Sequence, residues 1–339
     1  MLTTLLFVAL RSMQTPPANP QVEISSLLDS YEPKHFNGFL YVEQGGKQLF
    51  YHSVGYARRE TKQRFDFNTG IEIGSIVKPI SKIVLTKLCA AGKLSLDDSI
   101  SKFFPSVPEE KKSITVRLLA EHRSGFQDVF GGDYEPMKKD QLMRDMLASK
   151  LLFQPGTDNR YSNSGYSMLA AIIEKVTGKS FEQAIGELEF APLGLKRTGY
   201  TLPHWHSSQV ACGYKMDGTS WGTPLDHFWF KDGPGWNLRG NGGMITTIPE
   251  IARWARAAHD GELMSPEYYK FFTPGLASDK VKPNSIWSAA GGNGIFDTVV
   301  AYNPSRRLIV VAFSSDARFQ IESVLLKELA KPIFRLTDG

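Results

Sequence analysis

The 339-residue sequence is poor in cysteine and has no large excess of charge of either sign. Its two cysteines, Cys89 and Cys212, stand far apart and outside any spacing typical of a metal site. Because Cys89 lies in an apolar segment, a buried free thiol is favoured over a disulfide. The 39 basic and 35 acidic residues are mixed along the chain, so no basic patch indicates a nucleic-acid partner. Nothing in the sequence indicates a metal ion or another cofactor.

Long apolar runs are also missing. No uncharged segment reaches the roughly 18–20 residues that a membrane-spanning helix requires. The apolar run 2–10 has the length of the central part of a signal peptide, but no basic residue precedes it and no clear cleavage site follows. We interpret residues 1–20 as a signal peptide or a flexible lead-in. This favours a periplasmic or secreted protein, with the cytoplasm as the alternative.

The histidines form no obvious catalytic or metal-binding set. His204 and His206 lack a third ligand at a suitable spacing, so we expect two exposed histidines in a loop. His122 is expected to be a structural, hydrogen-bonding histidine rather than a base. The chemistry must therefore be sought in other residues.

Two segments match Ser-x-x-Lys, a pattern that suits a serine nucleophile with a lysine partner: Ser75 to Lys78, and Ser99 to Lys102. Residues three apart in a helix lie on the same face. A serine hydroxyl is a weak nucleophile unless a nearby group accepts its proton. A lysine accepts that proton only where burial lowers its pKa from about 10.4 toward neutrality.

The surroundings of the two segments favour Ser75. Residues 71–74 form a short strand-like run ending in glycine, and residues 79–91 have an apolar repeat near 3.6 residues. Ser75 is therefore expected at a helix N-terminus, where free amides and the helix dipole stabilise negative charge. Ser99 lies in a stretch typical of a turn and N-cap. We predict Ser75 as the nucleophile and Lys78 as its partner.

The triplet Tyr161-Ser162-Asn163 lies in a turn-rich segment that leads into a predicted helix. A tyrosine in such a segment is expected to face a cleft rather than the core. We therefore predict that Tyr161 takes part in the reaction of Ser75. Asn163 in the same triplet is a second candidate site residue, and a helix N-cap near Ser164 is the structural alternative.

Ser75-x-x-Lys78 followed by Tyr161-x-Asn163 resembles the first two motifs of the serine β-lactamase and penicillin-binding-protein superfamily. The Tyr-x-Asn form is similar to class C β-lactamases, D-aminopeptidases and related carboxylesterases. The resemblance implies that Tyr161 is the general base or shares the proton with Lys78, and that Asn163 binds Lys78 or the substrate. It also implies an oxyanion hole formed by the backbone amides of Ser75 and Gly292. Three flanking segments are similar to the same group: 118–125, 242–247 and 301–304.

The third motif of this superfamily departs from its pattern here. The family has Lys-Thr-Gly or His-x-Gly on a strand that lines the site, and this chain has Ala289-Ala290-Gly291 followed by Gly292. Gly291 and Gly292 still let a substrate approach the backbone closely. Ala289 supplies no cation for a substrate carboxylate, which argues against β-lactam and D,D-peptide substrates. If another cation serves, Arg239 and Arg318 are the first candidates.

Strands near both ends of the chain around a helical middle predict an α+β fold (an α/β sandwich), with an antiparallel sheet flanked by helices and an inserted helical part. We place a sheet subdomain at about 21–93 and 242–339, and a helical subdomain at about 94–241. In the second part of the sheet subdomain, helices are predicted at 249–259 and 322–334, and the first element predicted after Gly261 is a strand at 285–290. The site is expected in the cleft between them. Five aromatic residues could line this cleft or belong to the core: Trp221, Phe228, Trp229, Phe230 and Trp236.

The leading functional prediction is a serine hydrolase that forms an acyl-enzyme at Ser75 and cleaves ester or small amide bonds of a small-molecule substrate. One alternative is a β-lactamase or D,D-peptidase, which the missing cation at Ala289 disfavours. Another alternative is a non-catalytic binding protein that kept the fold. The presence of all four residues of the first two motifs disfavours that second alternative.

Overall fold

The computed structural model describes residues 19–273 and 285–337. Residues 1–18 of the predicted lead-in lie outside these ranges. The first helix begins at Pro20, where the Asn19 side chain accepts a hydrogen bond from the Gln21 amide. In the two described ranges, no helix has both the length and the apolar character needed to cross a bilayer.

A five-stranded antiparallel sheet is built from strands near both ends of the chain. The strands are β1 (Gly38–Gln44), β2 (Lys47–Val54), β7 (Trp287–Gly292), β8 (Asp297–Asn303) and β9 (Leu308–Ser314). Their order in the sheet is β2-β1-β9-β8-β7. All seven residues of the central strand β9 are buried, as its continuous apolar run predicts. The antiparallel sheet and flanking helices confirm the predicted fold class.

The two faces of the sheet pack against different helices because side chains alternate along each strand. Phe39 and Tyr41 of β1 join the larger core beneath the helices that carry the site. Leu40 and Val42 point the other way, into a smaller core closed by the N-terminal and C-terminal helices. The sheet is therefore covered on both faces.

Helices dominate the middle of the chain. Two short ladders pair β3 (Ile71–Glu72) with β6 (Ile245–Thr246), and β4 (Gly213–Tyr214) with β5 (Ser220–Gly222). The helices are α1 (Pro20–Ser30), α2 (Val77–Ala90), α3 (Val116–Ala120), α4 (Lys139–Ala148), α5 (Asn163–Thr177), α6 (Phe181–Ile185), α7 (Ile248–His259), α8 (Pro266–Phe272), α9 (Ile321–Val324) and α10 (Ala330–Arg335). The proposed division into two subdomains stays a prediction.

Two helical regions differ from the sequence prediction. The predicted helix 322–334 consists of α9 and α10 joined by a π-helical turn at Leu325–Leu329. Helix α8 was not predicted; it is short and begins with Pro266 in the first turn, where proline needs no hydrogen-bond partner. Neither difference changes the strands that border the site.

Candidate active site

Ser75 lies in a tight turn between β3 and α2. Gly74 adopts a positive φ of 44°, and a 3₁₀ turn over Gly74–Ile76 leads directly into α2. Pro79 falls in the first turn of α2, where a proline is tolerated. As the sequence predicts, Ser75 stands at the start of a helix.

Lys78 lies beneath Ser75, with only 4% of its surface exposed. Its Nζ is 2.8 Å from Ser75 Oγ, 2.7 Å from Asn163 Oδ1 and 3.0 Å from the Asn241 carbonyl oxygen. Burial lowers the pKa of the Lys78 ammonium to about 7, and nearby carboxylates act in the opposite direction. A substantial fraction of Lys78 is therefore neutral near pH 7.

Tyr161 approaches Ser75 from the other side, and its hydroxyl donates to Ser75 Oγ at 2.6 Å. Its ring covers Lys78, with Nζ 4.7 Å from the ring centre, while 48% of the residue remains exposed. Burial of the hydroxyl end raises the pKa of Tyr161, although the hydrogen bond to Ser75 opposes the change. The phenol is therefore protonated at neutral pH.

His122 supports Tyr161 from behind. The two rings stack with their centres 4.7 Å apart, and His122 Nδ1 accepts a hydrogen bond from the Ser162 amide. Burial lowers the pKa of His122 to about 4, so the ring is neutral at physiological pH. This geometry agrees with the structural role predicted for His122.

Asn163 is the first residue of α5, and its side-chain oxygen accepts the hydrogen bond from Lys78. The N-cap is Ser162, whose hydroxyl accepts from the Gly165 amide at 3.0 Å. The structural alternative for Asn163, a helix N-cap near Ser164, is therefore not what the structure shows. Because Ser162 caps the helix, the Asn163 side chain is left to contact Lys78.

Gly291 and Gly292 end β7 directly against the Ser75 turn. A Cβ added to Gly291 would lie 2.5 Å from the Ser75 nitrogen, and one added to Gly74 would lie 2.6 Å from the Gly292 nitrogen. No other residue type fits such close backbone contact. The two amides predicted to form the oxyanion hole thus belong to backbone segments in contact.

Ala289 lies on the same face of β7 as Gly291, since side chains alternate along a strand. This is the register that the third motif requires. The two arginines named as alternative cations are engaged elsewhere: Arg239 is buried against Asp232, and Arg318 pairs with Asp316 at 2.6 Å.

Carboxylates rather than cations surround Lys78. Three of them raise its pKa against the effect of burial: Asp128, Asp133 and Glu72. Asp128 also accepts a hydrogen bond from the Asn163 amide at 2.8 Å. Asp128 and Asp133 therefore add negative charge beside Lys78.

The residues of the site that were not predicted from the sequence include Asp128 and Asp133 as well as Glu72, Asn241 and Asn293. Asn241 contacts Lys78 through its carbonyl oxygen, and the glycines around it, Gly240 and Gly243, have positive φ angles. Such a glycine-rich run could have signalled a tight loop at a site. Glu72 could have been noticed as a carboxylate inside an apolar strand beside Ser75.

The other candidate motifs do not form a site. Ser99 donates to the Lys112 carbonyl oxygen, and Lys102 pairs with Asp98. The sequence also contains Gly-x-Ser-x-Gly at 218–222, but Ser220 lies on β5 beside the Cys212 thiol, not on a strand-to-helix turn. Within residues 19–273 and 285–337, no cluster of three or more metal-ligating side chains occurs.

The five aromatic residues divide between core and surface. Trp236 is buried in the main core, whereas Trp229 is 56% exposed. Trp221 stacks on His227, with ring centres 3.8 Å apart, and meets Tyr134 at 4.9 Å. The Tyr134 hydroxyl accepts a hydrogen bond from Asn293 just beyond β7, so this group reaches the site.

Comparison with known proteins adds a family and relatives. The family model described as Beta-lactamase matches residues 33–324. The chain is 29% identical over 286 residues to PbpX of Bacillus subtilis (strain 168), named as a penicillin-binding protein, covering 83% of this chain and 71% of PbpX. It is 26% identical to the protein flp of Staphylococcus aureus (strain MW2), covering 74% of this chain and 51% of flp.

Solved structures share the fold at lower sequence identity. A class C β-lactamase matches with a TM-score of 0.75 and 20% identity over 94% of this chain and 98% of its own. The D-amino acid amidase of Ochrobactrum anthropi SV3 matches with a TM-score of 0.72 and 21% identity over 95% of this chain and 98% of its own. EstCE1, a hydrolase with promiscuous acyltransferase activity, matches with a TM-score of 0.72 and 18% identity over 94% of this chain and 99% of its own.

Proposed function

Because the chain belongs to the beta-lactamase family, we propose that it is a serine hydrolase that cleaves ester or small amide bonds through an acyl-enzyme at Ser75. One observation carries the proposal. Ser75 Oγ lies within hydrogen-bond distance of both Lys78 Nζ and Tyr161 OH, at 2.8 and 2.6 Å. This is the arrangement that an activated serine requires.

The hydrogen bonds around Lys78 favour its neutral amine as the proton acceptor. A neutral amine donates two hydrogen bonds, and the oxygens of Asn163 and Asn241 accept them. Its lone pair is then directed at Ser75, whose hydroxyl donates to Lys78 while accepting from Tyr161. As Ser75 Oγ bonds to the substrate carbonyl carbon, its proton passes to Lys78.

The later steps use the same groups in reverse. The amides of Ser75 and Gly292 donate to the oxyanion of the tetrahedral intermediate. When the bond to the leaving group breaks, Tyr161 delivers a proton to the departing oxygen or nitrogen and is reprotonated by Lys78. Water then attacks the acyl-enzyme and gives a proton to Lys78 and Tyr161. This pair returns a proton to Ser75 Oγ as the acid is released.

The charges of the site favour substrates without a carboxylate. Ala289 offers no cation where the family places one, and Arg239 and Arg318 pair with other residues. Asp128 and Asp133 add negative charge near Lys78. We therefore propose uncharged esters and small amides as the substrate class.

A β-lactamase or D,D-peptidase is the second candidate, and the name of the relative PbpX favours it. Ala289 weighs against it for the reason just given. The kcat/KM values for nitrocefin and for p-nitrophenyl acetate distinguish this candidate from the proposed esterase or amidase. A higher kcat/KM for nitrocefin would favour the second candidate.

Active-site labelling tests the proposal directly. The purified protein is incubated with a fluorophosphonate probe, and the modified residue is mapped by mass spectrometry. We expect labelling at Ser75, loss of labelling and hydrolysis in Ser75→Ala, and no change in the matched variant Ser99→Ala. Labelling that persists in Ser75→Ala refutes the assignment, and an unlabelled, inactive wild type would favour a binding protein.

A further inference from the structure

Glu72 is a buried carboxylate beside the site that touches none of the reacting atoms assigned above. It ends β3, three residues before the nucleophile, and is 1% exposed. One of its oxygens, Oε1, accepts hydrogen bonds from the Gly74 and Gly243 amides, both at 2.9 Å. Burial raises the pKa of the Glu72 carboxyl to about 7, and the hydrogen bonds from these two amides oppose that change by stabilising the ionised form.

The partners of Glu72 lie on three separate segments of the site. Gly74 directly precedes Ser75, and Gly243 follows the loop whose Asn241 carbonyl accepts from Lys78. The second oxygen, Oε2, faces Asn293 Nδ2 at 3.5 Å, and Asn293 directly follows Gly292. One side chain thus contacts the nucleophile turn, the loop that holds Lys78 and the end of β7.

The orientation of Asn293 is determined by its other contacts. Its Oδ1 accepts hydrogen bonds from the Ile295 and Phe296 amides, both at 2.9 Å. Its Nδ2 therefore points away from these amides, toward Glu72 and the Tyr134 hydroxyl, which accepts at 2.8 Å. In the contact between the two side chains, Glu72 Oε2 is therefore the acceptor and Asn293 Nδ2 the donor.

We propose that Glu72 is a positioning residue, whose carboxylate holds the Ser75 and Gly292 amides in the relative position that the oxyanion requires. The inference rests on the proposed acyl-enzyme at Ser75. Oxyanion stabilisation depends on donors that are already in place before charge develops. A displacement of about 1 Å at such a site can lower the rate about 100-fold. The backbone of Glu72 also connects the Ser75 turn to the sheet, because the Glu72 carbonyl oxygen accepts a hydrogen bond from the Thr298 hydroxyl on β8 at 2.7 Å.

A swap of donor and acceptor tests this role. In Glu72→Gln, the amide oxygen still accepts from Gly74 and Gly243, but the new NH₂ group faces the NH₂ group of Asn293. In Asn293→Asp, two carboxylates face each other. The double variant restores a donor opposite an acceptor, now in reversed direction. The Tyr134 hydroxyl serves either arrangement, because it can donate as well as accept.

The measured quantities are kcat and KM for a p-nitrophenyl ester, together with the rate of fluorophosphonate labelling at Ser75. We expect each single variant to lower kcat and the labelling rate by about 10- to 100-fold with little change in KM, and the double variant to recover most of the loss. Recovery in the double variant assigns the loss to the facing side chains of residues 72 and 293, and a loss of kcat without a change in KM separates positioning from weaker substrate binding.

Glu182→Gln is the matched control. Glu182 is also a buried carboxylate that accepts backbone hydrogen bonds, from the Tyr200, Thr201 and Leu202 amides, but it lies outside the site. We expect this change to lower the melting temperature and to leave kcat near the wild-type value. An equal loss of kcat in Glu182→Gln would show that the effect in Glu72→Gln is a general loss of stability, and would overturn the proposal.

Three further outcomes would also overturn it. A folded Glu72→Gln with wild-type kcat and labelling rate refutes positioning by Glu72, while labelling at Ser75 leaves the proposed function intact. Losses that add in the double variant refute the donor–acceptor link to Asn293. If the wild type neither labels nor hydrolyses esters, the proposed function fails first, and the role of Glu72 fails with it.

Discussion

Replacing Ala289 by lysine should give the site the ability to recognise a carboxylate. Ala289 is half-buried on β7 and precedes Gly291 by two residues on the same face. Two residues along a strand span roughly 6.6 Å, so a lysine side chain at this position reaches the space beside Ser75. Ser288 on the opposite face is exposed, which makes Ser288→Lys a control with the same added charge.

The size of the effect follows from the missing contact. A hydrogen bond between a lysine and a carboxylate contributes about 1.5–3 kcal/mol, or roughly 10- to 150-fold in kcat/KM. Position 289 is partly exposed, so solvent weakens the attraction between the new cation and a carboxylate. We therefore expect the lower part of this range, about 10- to 30-fold.

The assay compares benzylpenicillin with its methyl ester, which differ only in the carboxylate. For the wild type, kcat/KM for the acid should not exceed kcat/KM for the methyl ester. Ala289→Lys should raise the acid-to-ester ratio of kcat/KM by the amount above, Ala289→His by less, and Ser288→Lys not at all. An unchanged ratio in a folded, fluorophosphonate-labelled Ala289→Lys would refute the register of β7 argued above, and efficient nitrocefin turnover by the wild type would refute the substrate class.

Three other predictions concern the proton transfer and the backbone. Burial lowers the pKa of Lys78 to about 7, and only the neutral amine accepts a proton, so kcat/KM should be constant above this pH and fall below it. Burial also raises the pKa of Glu72 to about 7, so the fall should be at least tenfold per pH unit; a limb centred near 10 would contradict the role of Lys78. Lys78→Ala and Tyr161→Phe should each lower kcat by several orders of magnitude without additivity, whereas near-wild-type turnover in Tyr161→Phe would exclude its role. Gly291→Ala should abolish labelling, because the new Cβ would lie 2.5 Å from the Ser75 nitrogen; Gly186→Ala, where a Cβ meets nothing within 4 Å, should label normally.

The parts of the site that were predictable are those encoded over a few residues. The spacing of Ser75 and Lys78, the glycine before them and the apolar helix after them are all local, and local geometry brings these two side chains together. Tyr161 and Asn163 required the family resemblance, because nothing in their own segment indicates which helix they meet.

The parts that were missed depend on contacts between distant segments. Glu72 and Gly243 are 171 residues apart in the chain, and Glu72 and Asn293 are 221 apart. No periodicity or spacing reports a pairing of that kind. Asn241 contributes only its backbone carbonyl to Lys78, so its side-chain type carries no signal of the contact. The N-cap at Ser162 was missed because several serines and asparagines in one turn are all suitable caps.

The position of β9 in the centre of the sheet has a consequence for how the protein acquires activity. This strand is made late in synthesis, yet it must enter between β1, which is made early, and β8. Contacts between such distant segments close large loops and slow folding. Helices α2 and α5 can form while β1 still has an unpaired edge, but β7 reaches Ser75 only once the sheet is complete. During refolding, fluorophosphonate reactivity should therefore appear after most of the helical circular dichroism signal has returned.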